Sequence, residues 1–209
     1  MQRYKLRVTF IQALLGSVPL NAEVYSDYIA TKAAKVGNAN GTVATEVMTI
    51  ESADVKGRTG FHRDEAGNPL LMNYVVKGFA KEACGANRQI PGSKSAALKA
   101  YKSKIDALVF VEPRYIKLNV TNPQAVGVLE RPLRAETMQG PRVTLASSEM
   151  VPANTYFDCT IIVLAPEIIT EELLREWLDY GYFLGFGQWR GGGNGTFSYR
   201  LVKLDSAPA

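Results

Sequence analysis

An α+β fold on the plan strand–helix–strand–strand–helix–strand is what this 209-residue chain predicts. Three observations carry that prediction. Tyr4, Leu6, Val8 and Phe10 alternate with Lys5, Arg7 and Thr9, the period of two that a half-buried strand requires. Val75, Val76, Phe79, Ala80 and Ala83 fall on one stripe at helical spacing. Thr170 followed by Glu171 and Glu172 reads as a capped helix start, with carboxylates at the positive end of the helix dipole.

Taken in order, residues 4–14 form the first strand. Residues 22–36 have helical spacing with Asn21 as a cap, and residues 37–60 are rich in Gly, Asn, Thr and Ser. Residues 21–60 therefore read as an insertion between the first strand and the next core element, and loops of that length usually carry function or disorder. Asp64, Gly67 and Pro69 mark a tight turn. A helix follows over 73–83 with Asn73 as its cap, and a second short helix over 95–105. Residues 107–111 and 115–120 are strands around Pro113, and 156–164 is a strongly apolar strand. The helix after Thr170 turns Leu173, Leu174, Trp177, Leu178 and Gly181 to the core. A glycine-rich loop then leads to a closing strand at 196–204. Without the insertion this is the ferredoxin-like, or RRM-like, plan β-α-β-β-α-β, in one domain over residues 1–209.

The composition is 46% hydrophobic, enough to bury a core, and the net charge of +4 is compatible with a polyanionic partner. Cys84 and Cys159 have no paired spacing and read as reduced core thiols, so neither a zinc site nor a disulfide framework is indicated. The N-terminus is basic and then apolar, as in a signal peptide, but Arg7, Thr9 and Gln12 interrupt the run. No stretch reaches the roughly 18 apolar residues of a membrane span, and a cytoplasmic protein is expected. No metal or cofactor is called for, and no HExxH, GxSxG or paired-carboxylate pattern appears.

Three stretches point to a ligand. In the first, Lys77 and Gly78 sit inside an apolar helix, where glycine costs roughly 1 kcal/mol against alanine. Something negative is expected to approach that helix closely. Nine lysines and arginines stand against three acids between Lys77 and Lys117, Lys81 among them. The second stretch, Leu184 to Leu201, packs Gly185, Gly187, Gly191, Gly192, Gly193 and Gly195 around Gln188, Trp189 and Arg190. Glycines let backbone N–H groups face a phosphate, arginine pairs with phosphate bidentately, and tryptophan offers a base a stacking face. The loop precedes a strand, so it is neither a Walker loop nor a dinucleotide fingerprint. In the third, Arg131, Arg134 and Arg142 bracket a polar segment with no evident structural reason.

With these segments the chain resembles the RAMP proteins, the ferredoxin-like RNA-binding subunits of CRISPR effector complexes. RDEAGNPLLMNYVVKGFAKEA resembles the family's turn and first helix, with Arg63, Asp64, Gly67, Pro69, Lys77 and Gly78 matching. SSEMVPANTYFDCTIIVL matches the pattern before its third strand at Glu149, Val151, Pro152, Thr155 and Phe157, with Asn154 where the family has glycine. GFGQWRGGGNGTFSYRL matches the glycine-rich loop at Gly185, Gly187, Arg190, Gly193 and Gly195. The resemblance implies a sequence-independent RNA-binding subunit that assembles head to tail along a guide or crRNA-like RNA, with other CRISPR-type subunits as further partners. It implies RNA contacts from Arg63, Lys77, Gly78, Lys81, Arg131, Arg134, Arg142, Gly185, Gly187, Gln188, Trp189, Arg190, Gly193 and Gly195, and a thumb-like role for residues 21–60. Two alternatives stay open. One is a stand-alone relative, encoded by a virus or mobile element, that acts by self-assembly or interference. The other is an endoribonuclease using His62, the only histidine, or an insertion aspartate, Asp27 or Asp54; no catalytic residue is assigned.

Overall fold

The structure, a computed structural model, describes residues 1–20, 57–137 and 140–204. The helix and cap expected at 21–36, most of the loop to 60, Asp27 and Asp54 lie outside them. In chain order the strands begin with β1 (Gln2–Phe10), then β2 (Leu14–Leu15), β3 (Val18–Pro19), β4 (Arg58–Gly60), β5 (His62–Arg63) and β6 (Pro69–Met72). Helices α1 (Asn73–Asn87) and α2 (Tyr101–Leu108) lead to β7 (Val109–Glu112) and β8 (Tyr115–Lys117). A long hairpin, β9 (Gly127–Thr137) and β10 (Gly140–Val151), precedes β11 (Tyr156–Val163). Helices α3 (Glu171–Asp179) and α4 (Gly181–Leu184) and strand β12 (Phe197–Leu204) complete the chain.

The central sheet is antiparallel with strand order β12-β1-β11-β7. With α1 after β1 and α3 after β11, this is the ferredoxin-like α+β arrangement. Alternation along β1 decides the two faces: Tyr4, Leu6, Val8 and Phe10 are buried, while Arg3, Lys5 and Arg7 are exposed. Helices α1 and α3 bury Val76, Phe79, Leu173, Leu174 and Trp177 in the same core as the inward strand residues. Thr170 caps α3 as expected, its hydroxyl oxygen accepting from the Leu173 N–H at 3.4 Å. Both cysteines are buried and free.

Three local expectations change. Met72, not Asn73, is the cap residue of α1 and makes no side-chain cap bond. Asn73 is the first helical residue, and its Nδ2 donates to the Val111 carbonyl, tying α1 to β7 at 2.8 Å. The helix expected at 95–105 is two pieces, a 3-10 turn at Lys94–Ala97 and then α2. The extended segment after Pro113 pairs mainly outside the central sheet: β8 pairs β6 in a separate three-stranded sheet with β5, and beyond it Asn119 makes an isolated antiparallel bridge to Tyr156 of β11.

A second insertion therefore exists, between β7 and β11. Its β9–β10 hairpin runs in register from Gly127 opposite Met150 to Thr137 opposite Gly140. Only residues 147, 148, 150 and 151 of β10 also pair with β4 or β2. The rest continues as a two-stranded ribbon, roughly 20 Å long at ~3.4 Å per residue.

Candidate nucleic-acid interface

The three motifs meet at one side of the central sheet. The turn of the first is held by Asp64, whose Oδ1 accepts from the N–H groups of Ala66 at 3.1 Å and Asn68 at 2.7 Å. The Asn68 side-chain amide, donating to Oδ1 at 3.0 Å and Oδ2 at 2.9 Å, together with the Asn68 N–H holds the Asp64 carboxyl below its usual value. Arg63 Nη1 donates to the Gly67 carbonyl at 2.9 Å and Nη2 to Glu149 Oε1 at 2.8 Å. Glu149 Oε2 accepts from the Phe61 N–H at 3.1 Å. Arg63 of the turn and Glu149 of the second insertion are thus a half-buried ion pair that ties the turn before α1 to that insertion. Asn154 takes φ +64°, the left-handed conformation that asparagine tolerates, which explains how it stands where the family pattern has glycine.

The glycine-rich loop is anchored by Phe186, which packs on Phe10, Phe79, Phe157 and Phe197. Its glycines serve packing. A Cβ on Gly187 would lie 2.3 Å from the Leu15 carbonyl oxygen, and one on Gly195 would lie 2.0 Å from that of Phe186, both at positive φ. Gly185 is equally crowded, by the Asn194 carbonyl at 2.7 Å, whereas Gly193 faces open space. The N–H groups of Gln188 and Gly195 donate to Leu15 and Ala13, and those of Gly192 and Gly193 to Trp189 and Arg190. Those four amides are committed inside the protein, and the loop also presents side chains.

Trp189 is the side chain so presented. It adopts φ +51°, a conformation that costs a bulky residue about 1–3 kcal/mol, and its ring is 47% exposed. Beneath it lies Arg131 of β9, only 6% exposed, with its guanidinium 5.0 Å from the Trp189 ring centroid. Arg131 Nη1 donates to Ser148 Oγ at 3.3 Å and Nη2 to Gln188 Oε1 at 3.2 Å. Its Nε has no partner, and no carboxylate pairs with it among the described residues. Arg134 and Arg142 lie farther along the hairpin, at register positions opposite Val143 and Ala135. The structure thus brings Arg131 to the loop and sets the other two arginines on the ribbon.

Arg190 leaves the loop toward α1 and pairs with Glu82 at 2.7 Å. Lys77 donates from Nζ to the Asp106 carbonyl at 2.7 Å and sits 4.7 Å from the Phe110 ring, and burial lowers its pKa. Lys81 pairs with the Asp106 carboxylate. Both lysines therefore flank the α1–α2 side. Gly78 is exposed, and a Cβ there would meet nothing within 4 Å, so no part of the described chain requires glycine at that helical position. His62 is 1% exposed, and burial pushes its pKa down to about 4. It lines a small cavity of about 100 Å³ with Tyr74 and Gly187, between the start of α1 and the loop.

Sequence reasoning missed Glu82 and Ser148 as partners of Arg190 and Arg131. Glu82 stands four residues after Gly78, a helical spacing that places both on one face. Nothing in the sequence signals Ser148. Among the described residues no group of three or more His, Cys, Asp or Glu could hold a metal ion, and no helix is long and apolar enough to cross a membrane.

Two solved structures share the architecture. A chain of the type III-B Cmr-beta complex bound to cognate target RNA, seen by cryo-EM, superposes with TM-score 0.50 at 9% identity, covering 97% of this chain and 61% of its own. A chain of a type IV-B CRISPR complex superposes with TM-score 0.51 at 10% identity, covering 99% of this chain and 94% of its own. This chain thus spans less than two thirds of the first and nearly all of the second. At such identities the likeness is one of fold. No family model and no curated protein matches the chain.

Proposed function

We propose that this protein is an RNA-binding subunit that assembles along a guide RNA as the backbone of a CRISPR-type ribonucleoprotein, gripping phosphates without reading sequence. The observation that carries the reading is Arg131. A buried guanidinium without a carboxylate costs several kcal/mol of desolvation, which an anion brought near it offsets. A phosphate supplies that charge, and the exposed Trp189 ring beside it supplies a stacking face for a base. Gly78 is exposed with nothing within 4 Å of where a Cβ would stand, which gives a backbone room to pass α1. Both likenesses of fold are to chains of CRISPR complexes, and one of those complexes holds RNA. The β9–β10 ribbon supplies a projecting element for a neighbouring copy, and head-to-tail contacts of that kind extend along a strand without closing.

The endoribonuclease alternative has no support from His62, which is buried and held neutral. The test is the 260/280 nm absorbance ratio of protein purified in low salt, with sizing of extracted nucleic acid. Co-purifying RNA of discrete length, lost in Arg131→Gln or Arg190→Glu, supports the reading. Clean protein that binds no added RNA overturns it and moves the function to protein assembly or interference.

A further inference from the structure

A second cleft lies on the far side of the Arg63 turn. It encloses about 560 Å³, within the ~300–1,000 Å³ of small-molecule sites. One wall is Arg63, Asn68 and Pro69; the other runs from Lys117 to Thr121, and Tyr156 lies at one side. Its chemistry is specific. No acidic side chain lines it; Asp64 beside it holds the Asn68 amide and lies near enough to feel the Lys117 charge, and Glu149 faces Arg63. Arg63 Nη1 and Nη2 are engaged by Gly67 and Glu149, so Arg63 contributes a positive wall. Lys117 is different: it is exposed, and its ammonium makes no ion pair or hydrogen bond among the described residues. Asn119 offers an amide whose two bonds, at 3.5 and 3.4 Å, are long and weak. The Tyr156 ring is held from the sheet side by the Arg7 guanidinium, 4.6 Å from its centroid, and Arg7 is itself fixed by two bonds of 2.8 Å to Asp158.

We infer that this cleft is a nucleotide site, separate from the Arg131–Trp189 surface, taking one nucleoside monophosphate unit. Lys117 receives the phosphate, Tyr156 packs on the base, and the Asn119 amide and the Asn68 side-chain oxygen, whose NH2 is held by Asp64, meet its polar edge. An exposed cation with no ion pair or hydrogen bond among the described residues, a ring backed by a cation and a lining without acids favour an anionic, aromatic and hydrogen-bonding ligand over a cationic or purely apolar one. The unit is either a free mononucleotide or one nucleotide of a strand.

The experiment is a titration of isotope-labelled full-length protein with AMP, and in parallel with a five-nucleotide single-stranded RNA, read by amide and indole NMR shifts. Either ligand is expected to shift Asn68, Asn119 and the backbone of 117–121, and Lys117→Glu is expected to weaken that binding at least tenfold. Tyr156→Phe, which keeps the ring, is expected to retain it. Shifts with AMP identify a free nucleotide as ligand, and shifts at these residues with the oligonucleotide alone identify a strand unit. Shifts confined to the Trp189 indole and residues 185–195, or none, overturn the inference, as does binding at the cleft indifferent to Lys117→Glu. Lys117 is exposed and outside the core, so a folded variant is expected, with melting followed by circular dichroism. The Trp189 signal reads the other surface in the same spectra, which keeps the two readings distinguishable.

Discussion

Replacing Arg131 by methionine is expected to leave the protein as stable or more stable while weakening its hold on RNA. The side chain is 6% exposed, so its charge is removed from water. What it gains is two bonds to neutral oxygens, at 3.3 and 3.2 Å, and one contact with the Trp189 ring. Hydrogen bonds to charged groups contribute about 1.5–3 kcal/mol each, and these are long, so the lower figure applies. The ring contact adds roughly 1 kcal/mol. A total of about 4 kcal/mol does not exceed the several kcal/mol of desolvation for a buried ion. Apolar replacement of such groups is neutral to stabilising. Ser148 Oγ keeps a bond of 2.8 Å to Thr59, so little is orphaned. The expected gain is about 0–2 kcal/mol, a melting temperature unchanged or raised by up to about 8 °C at this chain length. In RNA titrations across salt concentrations, one lost phosphate contact lowers the slope of log affinity against log salt by about 0.7. Calorimetry showing a loss of more than about 2 kcal/mol would refute the reasoning, because Arg131 would then be a structural residue whose partners suffice.

Glu149→Ala has the opposite signature: it strands Arg63 and the Phe61 N–H, and a loss of about 3 kcal/mol is expected in denaturant melts. Gly195→Ala places a Cβ against the Phe186 carbonyl at φ +70°, so poor expression or a melting temperature lowered by more than ~6 °C is expected. Gly78→Ala meets no neighbour and stabilises α1 by about 1 kcal/mol, yet is expected to lower RNA affinity if a strand passes there; unchanged affinity removes the α1 path. His62 has its folded pKa near 4, below the ordinary ~6.5, so the unfolded chain takes up its proton first. Stability is expected to fall by up to ~1.4 kcal/mol per pH unit between about 6.5 and 4, a slope that His62→Gln should flatten.

The periodic elements were legible because their residues face two solvents at once. Alternation in 4–10, the stripe of Val76 and Phe79, and the Thr170 cap are local signals, and each sits where its pattern places it. The β9–β10 hairpin was not legible. Val143 and Leu145 point apolar side chains outward while the inward position at 131 holds an arginine, so the sequence carries no apolar-in, polar-out alternation there. The glycines of the last loop were legible as special backbone, but the carbonyls of Leu15 and Phe186 that crowd Gly187 and Gly195 are set by tertiary packing and were not legible. Arg131 was singled out for lacking a structural reason, and burial beside Trp189 sharpens that puzzle.

Phe186 has a further consequence for how this surface would work. A loop rich in glycine ordinarily wanders, and a wandering loop surrenders freedom each time it takes a partner. Here a ring seated among four other phenylalanines holds the loop at its start, and the Gly195 amide on Ala13 closes its end. The freedom is surrendered once, during folding, so in the proposed assembly each copy would meet its stretch of polymer with a surface already in shape. An array built that way would gain length at a constant increment, with no conformational toll that recurs at every step.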